Sequence, residues 1–395
     1  MNSRDIVLLS TADWDNPFWT NKQHVAAQLA EMGHRVLYID SVGLRRLTTT
    51  VRDWRRAVHK VWKGIVGPKR VKDRIWVCSP LVVPLHDIKS IRRVNKLALS
   101  MQLRLWLRAV AFQRPLLWTY NPLTLELINI DGFPFDAVIY HCVDEIKAQP
   151  GMPEDVIERA ERTLVARADI VFVTARYLLE TRRSWNANTF YFPNVADAEH
   201  FGKALERTTV VPEDLSVLPR PRIGFVGAIS SYKVDFGLLR HLAMAHPEWS
   251  IVLIGQVGEG DPATDVSSLK DLRNVYLLGP RPYEQLPNYL KGMDVGIIPS
   301  LKNDYTRAMF PMKFFEYLAA GLPVVATDLP ALEEFANVAY LAGTYGEFIR
   351  QVETALVENR SVREQRLAVA RQYTYKRRTE VMWELVVKTL NDRMG

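Results

Sequence analysis

Residues 308–328 read Ala-Met-Phe-Pro-Met-Lys-Phe-Phe-Glu-Tyr-Leu-Ala-Ala-Gly-Leu-Pro-Val-Val-Ala-Thr-Asp, an apolar stretch whose helical half carries two charges, Lys313 and Glu316. A helix that starts near Pro311 and stops at Gly321 puts both on its first turns. The free N–H groups and dipole of a helix N-terminus favour an anion. A lysine there opposes the dipole, a placement that makes sense if the lysine faces a phosphate. Glu316, one turn on, is suited to accept hydrogen bonds from ribose hydroxyls, as acidic residues do in dinucleotide folds. The plainer alternative is a surface lysine and glutamate on an ordinary helix. A second candidate is Tyr140-His-Cys-Val-Asp-Glu145, which follows an apolar strand. His141 and Asp144 are expected to emerge at the strand's carboxyl end, where a titratable pair can move a proton from an acceptor hydroxyl. A helix N-cap is the alternative for Asp144. Asp13-Trp-Asp15 has a metal-binding spacing, but it follows the first strand with no supporting cluster of His and carboxylates, so no metal and no other cofactor is expected. Gly255-Gln-Val-Gly258-Glu-Gly260 is a weak dinucleotide fingerprint without a clear helix after it.

The elements that must position these residues alternate. Ile6–Ser10 and Val36–Ile39 read as buried strands around a helix at Asn21–Met32 that stops at Gly33. Leu116–Thr119, Ala137–Tyr140 and Ile170–Thr174 continue the strands, with a helix at Pro153–Ala166 before the last. Residues 212–222 carry three prolines and read as an interdomain linker. The alternation then restarts with strands at Arg222–Val226, Ser250–Ile254, Val275–Leu278, Val295–Ile298 and Pro323–Ala326. Helices fall at Phe236–Ala245, Tyr283–Gly292 and Met312–Ala320, and the tail from Tyr345 is helical. Two such series imply two doubly wound α/β lobes.

Length and composition agree. The chain has 395 residues, 48% hydrophobic and 24% charged, and suits two domains. Its two cysteines, Cys78 and Cys142, make neither a disulfide framework nor a structural zinc site, which favours a reducing compartment. The N-terminus reads as neither signal nor anchor, and nothing is long and apolar enough to span a bilayer. The net charge of +7 is uneven: residues 1–120 hold 21 Lys/Arg against 8 Asp/Glu. The first half therefore suits an anionic partner.

The 308–328 segment resembles the donor-binding signature of the group 1 glycosyltransferases of the GT-B fold, in which a Glu-x7-Glu pair precedes a Gly-x-Pro-Val-Val stretch. Glu316-Tyr-Leu-Ala-Ala-Gly-Leu-Pro-Val-Val matches its second half. The spacing of Gly227, Lys233, Gly255 and Asp294, and Phe-Pro-Asn-Val-Ala-Asp at 192–197, are similar to the same family. The first glutamate of the pair falls at Ala308, and the family's Gly-Gly in the first loop falls near Trp19 and Thr20. Pro311-Met312-Lys313 with Glu316 is closer to a divergent branch that builds bacterial exopolysaccharides, including xanthan-type glucuronosyltransferases. The resemblance implies two Rossmann-like lobes with a cleft between them, and donor contacts from Gly227, Ser230, Lys233, Arg281, Tyr283, Pro311, Met312, Lys313 and Glu316. Arg281 or Tyr283 would stack on the base. Asp144 matches the base of the xanthan-type branch. In an inverting enzyme it would deprotonate the acceptor, and in a retaining one it would orient acceptor or sugar.

Two basic amphipathic segments fit the charge asymmetry. In the first, Arg52, Arg55, Arg56, Lys60 and Lys63 share one face, opposite Trp54 and Trp62. Arg52, Trp54, Arg55, Arg56, Trp62 and Lys63 are expected to contact an anionic membrane surface. The second, 91–113, reads as a helix packed on the sheet with a solvated basic face. The expected organisation is an acceptor lobe at 1–205, a linker at 206–221, a donor lobe at 222–375, and a helix at 376–395 returning to the first lobe. The expected activity moves a sugar from a nucleoside diphosphate, UDP above others, to a lipid-linked or polysaccharide acceptor at the inner membrane face, without metal and without nucleic acid. A nucleotide-sugar epimerase of the same fold and a non-catalytic scaffold are the alternatives. The first would turn over donor alone, and the second would bind without turnover.

Overall fold

A computed structural model describes residues 3–17, 19–42, 67–83 and 88–393. The chain forms two compact units, Met1–Phe192 with Thr379–Gly395, and Pro193–Arg378.

Unit 1 is built on a sheet of β1 (Asp5–Leu9), β2 (Arg35–Ile39), β3 (Lys69–Lys72), β4 (Ile75–Cys78), β5 (Leu116–Thr119), β6 (Val138–Cys142), β7 (Ile170–Val173) and β8 (Thr189–Tyr191). Their order is β3-β4-β2-β1-β5-β6-β7-β8. All pairs are parallel except β3–β4, the edge hairpin. Strands β1, β5, β6 and β7 are near-continuous apolar runs because helices cover both faces of such a sheet. Arg35 and Asp5 pair bidentately, 2.7 Å for both bonds, and fix the register of β1 on β2. The end of the last helix (Tyr375–Asp392) brings Met382, Trp383, Val386 and Leu390 into this core.

Unit 2 holds β9 (Arg222–Val226), β10 (Ser250–Ile254), β11 (Val275–Gly279), β12 (Val295–Ile298), β13 (Val324–Thr327) and β14 (Tyr340–Ala342), ordered β11-β10-β9-β12-β13-β14 and all parallel. Counted from its first strand, each sheet runs 3-2-1-4-5-6 through its centre, so the winding reverses beside β1 in unit 1 and beside β9 in unit 2. Ligands of doubly wound sheets bind outside the carboxyl ends of the strands at that reversal. Two strand glycines there make room for neighbours. A Cβ on Gly224 would strike Met293, and one on Gly296 would strike the ring of Tyr317. Tyr317 Oη in turn accepts a hydrogen bond of 2.8 Å from the amide of Val226, the last residue of β9.

The boundary between units differs from the sequence expectation. Residues 206–221 are not a free linker but part of unit 2. Pro212 caps a short helix, Glu213–Ser216, whose Leu215 is fully buried, and Asn288 Nδ2 donates to Val210 O at 2.7 Å. Prolines here start structure rather than interrupt it. The alternation also hid β3, β4, β8 and β14, which are three or four residues long and mostly at sheet edges.

Candidate active site

In unit 2 the chemistry gathers where β9 meets β12. The helix carrying the signature runs Lys313–Ala319, beginning two residues later than Pro311 suggested. It is held from below by aromatic packing: Phe310 stacks on Phe315 at 5.4 Å, and Phe315 on Tyr373 at 4.7 Å. Asn194 Nδ2 donates to Phe310 O at 2.6 Å, so the Phe-Pro-Asn run of 192–194 secures the loop before the helix. Lys313 and Glu316, on the first turns of that helix, are only part-exposed.

Lys313 lies across Gly227. Gly227 has φ +146, and a Cβ there would collide with Lys313 Cε and Nζ. Gly255, at φ +153, needs its lack of a side chain for the same convergence, since a Cβ would meet the Gly227 carbonyl. Burial lowers the pKa of Lys313; the nearby charge of Lys233 lowers it further while Glu316 raises it. Lys233 and Lys313 are therefore electrostatic neighbours, brought together from a loop and a helix start 80 residues apart in sequence. Burial pushes Glu316 up to about 7, against the pull of Lys313. Two cations and a carboxylate poised near neutrality thus share the reversal point, an arrangement equipped to hold an anion beside a hydroxyl-bearing group.

The other expected donor residues divide. Lys233 Nζ sits over the rings of Tyr232 and Tyr305 at 5.0 and 5.1 Å. Pro311 is buried and Met312 part-exposed at the N-terminal end of the signature helix. Tyr283 is part-buried, stacked on His200 with ring centroids 4.1 Å apart, and its hydroxyl pKa is raised by burial and then by Glu316. Tyr283 and Glu316 therefore share one electrostatic neighbourhood. Ser230 is fully buried and its hydroxyl donates to Glu259 O, so it braces the 227–233 loop instead of facing a ligand. Arg281 is committed elsewhere. It pairs with Asp214 at 2.6 Å and donates to Tyr289 Oη at 2.6 Å, because the Glu213–Ser216 helix, which the sequence left in a linker, supplies the acid. Asp294 likewise accepts from the amide of Arg222 at 2.7 Å at the opposite end of the strands.

In unit 1, His141 corrects the sequence expectation. It is the fourth residue of β6, fully buried, stacked on Tyr120 at 4.7 Å and edge-on to Phe172 at 6.0 Å. The strand runs two residues further than its apolar core suggested, which draws the histidine into the core. Asp144 lies beyond the strand end, part-exposed, and caps no α-helix; the short helical turn Ile146–Ala148 follows Glu145 instead. A buried charge cluster fixes this loop. Arg182 bonds both oxygens of Glu145 at 2.8 Å and Glu161 at 2.7 Å, and Tyr140 Oη donates to Glu161 at 2.8 Å.

The reversal point of unit 1 holds polar residues that the motifs did not flag. The helix Asn21–Glu31 opens with buried Asn21, Lys22 and Gln23, and Lys22 Nζ lies 5.7 Å from the ring centroid of Tyr120. Asn121, fully buried just past β5, accepts from the amide of Leu123 with Oδ1, and its Nδ2 has no hydrogen-bond partner among the described residues. Trp14 and Trp19 approach at 5.0 Å over the first loop. The signal was present: three polar residues at the start of a helix whose other face is apolar. Asp13 Oδ1 accepts from the amide of Ser41, and among the described residues no three His, Cys, Asp or Glu converge as a metal site would need. The expected membrane face of Arg52, Trp54, Arg55, Arg56, Trp62 and Lys63 lies outside the described residues.

Residues 220–358, the body of unit 2, match the model of the glycosyl transferases group 1. Fold and matched domain together define the class: residues 220–358 carry a glycosyl transferases group 1 domain, within a chain that has the two-lobed GT-B fold. Among its relatives is TuaH of Bacillus subtilis (strain 168), provisionally described as a teichuronic acid biosynthesis glycosyltransferase, 26% identical over 355 residues that span 79% of this chain and 88% of TuaH. Among solved structures it is similar to sucrose-phosphate synthase from Thermosynechococcus elongatus, with a TM-score of 0.70, 15% identity and 98% and 100% of the two chains covered. It is also similar to Anabaena Alr3699/HepE in complex with UDP and glucose, with a TM-score of 0.66, 16% identity and the same coverages.

Proposed function

We propose that the chain transfers a sugar from a UDP-sugar to a lipid-linked or polysaccharide acceptor during synthesis of a cell-surface polysaccharide, as an enzyme working at the inner face of the membrane without metal. The observation that carries this reading is Lys313 laid over Gly227, with Lys233 beside it and Glu316 one turn on. Lys233 and Lys313 would take the diphosphate and offset the charge that grows on it as the glycosidic bond breaks. Glu316 would accept from the ribose hydroxyls, and Tyr283, its neighbour, would lie near the base. The relatives support the donor and the setting: HepE is seen with UDP and glucose, and TuaH is described in teichuronic acid biosynthesis.

The acceptor is assigned to unit 1. The orphaned Asn121 amide, buried Lys22 and the Trp14–Trp19 pair offer hydrogen bonds, a cation and apolar ring surface, the usual means of holding a sugar or an anionic sugar. Asp144, past the end of β6, would take the proton of the attacking hydroxyl or orient it. Whether the transferred unit is a hexose or a glycuronic acid is decided by incubating the enzyme with UDP-glucose and UDP-glucuronic acid, with and without a membrane extract as acceptor source. UDP release that requires the extract is the expected result. UDP-sugar conversion without any acceptor would replace this reading with an epimerase.

A further inference from the structure

The helix Lys89–Ala109 has two faces of opposite fate. One is buried: Leu99, Leu103, Trp106 and Leu107 enter unit 1. Beside that face, Asn95 and Gln102 act as false strand partners for the preceding segment. Asn95 exchanges bonds of 2.9 and 2.7 Å with the backbone of Val83, and Gln102 bonds of 2.9 and 3.1 Å with that of Leu81. The helix is thus held firmly on one side. The other side was expected to be a solvated basic face; its arginines are exposed, and a stripe of large apolar side chains is exposed among them.

Val94, Leu97, Met101 and Leu105 are 60%, 73%, 67% and 58% exposed. At about 100° per residue they fall within about 80° of arc, and exposed Arg93, Arg104 and Arg108 fall among and beside them within about 120°. The helix contains no Asp or Glu. Arg104 leans along Phe133, with its guanidinium 5.5 Å from the ring centroid. A solvated surface does not line up four large apolar side chains on about 17 Å of helix without a use for them. A purely apolar partner would leave the arginines without counter-charges, and a nucleic acid would leave the apolar stripe wet. A surface with anionic groups above and acyl chains below satisfies both sets at once.

We propose that this helix face docks the enzyme on an anionic lipid bilayer, with Val94, Leu97, Met101 and Leu105 entering the acyl boundary and Arg93, Arg104 and Arg108 at the headgroup phosphates. The inference deepens the membrane setting of the proposed function but places the contact on a helix that the sequence had assigned to ordinary packing. It is independent of the donor site.

The test is co-sedimentation of the full chain with vesicles of phosphatidylcholine alone and of phosphatidylcholine with phosphatidylglycerol, at low and high salt. The wild type should bind the anionic vesicles and release at high salt. Leu97→Asp with Leu105→Asp should lower partitioning by at least about tenfold, since these positions face the acyl boundary. Arg93→Glu with Arg108→Glu should lower it by at least about twenty-five-fold, each surface cation contributing about fivefold. All four positions are exposed, so melting temperature and UDP affinity should stay at wild-type values, which separates lost docking from lost fold or lost donor binding. Variants that bind vesicles like the wild type would overturn the proposal, as would a wild type that ignores anionic vesicles. So would a wild-type dimer, seen by sedimentation equilibrium, that Leu97→Asp dissociates while vesicle binding is absent.

Discussion

Lys313 rests on the backbone of Gly227, and the two residues, 86 positions apart, meet only because β9 and the helix after β12 share the point where the sheet reverses its winding. A side chain on Gly227 would evict the lysine and impose a backbone of φ +146 that L-residues avoid. Gly227→Ala should therefore lower stability by about 1–3 kcal/mol, measured by denaturant titration. It should also weaken UDP binding by more than the same substitution at a surface position.

Removing the cations tests the phosphate assignment. Lys313→Ala and Lys233→Ala should each weaken UDP by about 10- to 100-fold, the worth of one charge-assisted hydrogen bond of about 1.5–3 kcal/mol. Uridine, which lacks the diphosphate, should bind all three proteins alike. Equal losses for uridine and UDP would mean that the lysines support the fold and not the phosphates.

Glu316 gives the site a pH dependence. Its folded pKa, about 7, lies above the unfolded value, so the folded state binds the extra proton and stability is greatest at low pH. That stability falls as pH rises from about 4.5 to about 7, because ionising the buried carboxyl costs energy. Glu316→Gln should raise stability at pH 8 by about 1–2 kcal/mol and change it little at pH 4.5. Ligand binding should run the other way: a carboxylate that accepts from ribose must be ionised, so UDP affinity should rise through about pH 7 in the wild type. The Gln variant should lose that rise.

Asp144→Asn separates the acceptor chemistry from the donor site. If the carboxylate takes the acceptor proton, kcat should fall by about 10²- to 10⁴-fold with UDP affinity unchanged. A kcat within threefold or so of wild type would leave Asp144 a loop residue and remove the base from the account.

The loop that carries Asp144 depends on a buried ion cluster. Arg182→Met would leave Glu145 and Glu161 facing each other without their shared cation. A loss of about 3–5 kcal/mol is expected, visible as a lowered chemical denaturation midpoint.

Much of unit 2 was legible because β9, β10, β12 and β13 are fully buried, mainly apolar runs and the helices before β12 and β13 stop at Gly292 and Gly321. Glu316 and Lys313 stood out as the only charges in the helical half of an apolar stretch. The partners that Arg281 and Ser230 take in the structure, Asp214 and the Glu259 carbonyl, were not legible because they come from segments with no periodicity. His141 was misread by two residues of strand length, and in a strand that length decides between core and rim. The solvent face of Lys89–Ala109 escaped for a related reason. Its composition shows an amphipathic helix, but both flanks of its basic arc are apolar, and only packing decides which flank is covered.

Lys313, Lys233 and Glu316 are proposed to hold a nucleoside diphosphate between them. Calorimetric titration with UDP, GDP, ADP and CMP, on the wild type and on Glu316→Ala, tests it most directly. UDP should bind, and the substitution should weaken it by about tenfold or more, a lost hydrogen bond to a charged group being worth about 1.5–3 kcal/mol. No binding of any nucleotide, or UDP binding untouched by Glu316→Ala, would contradict it.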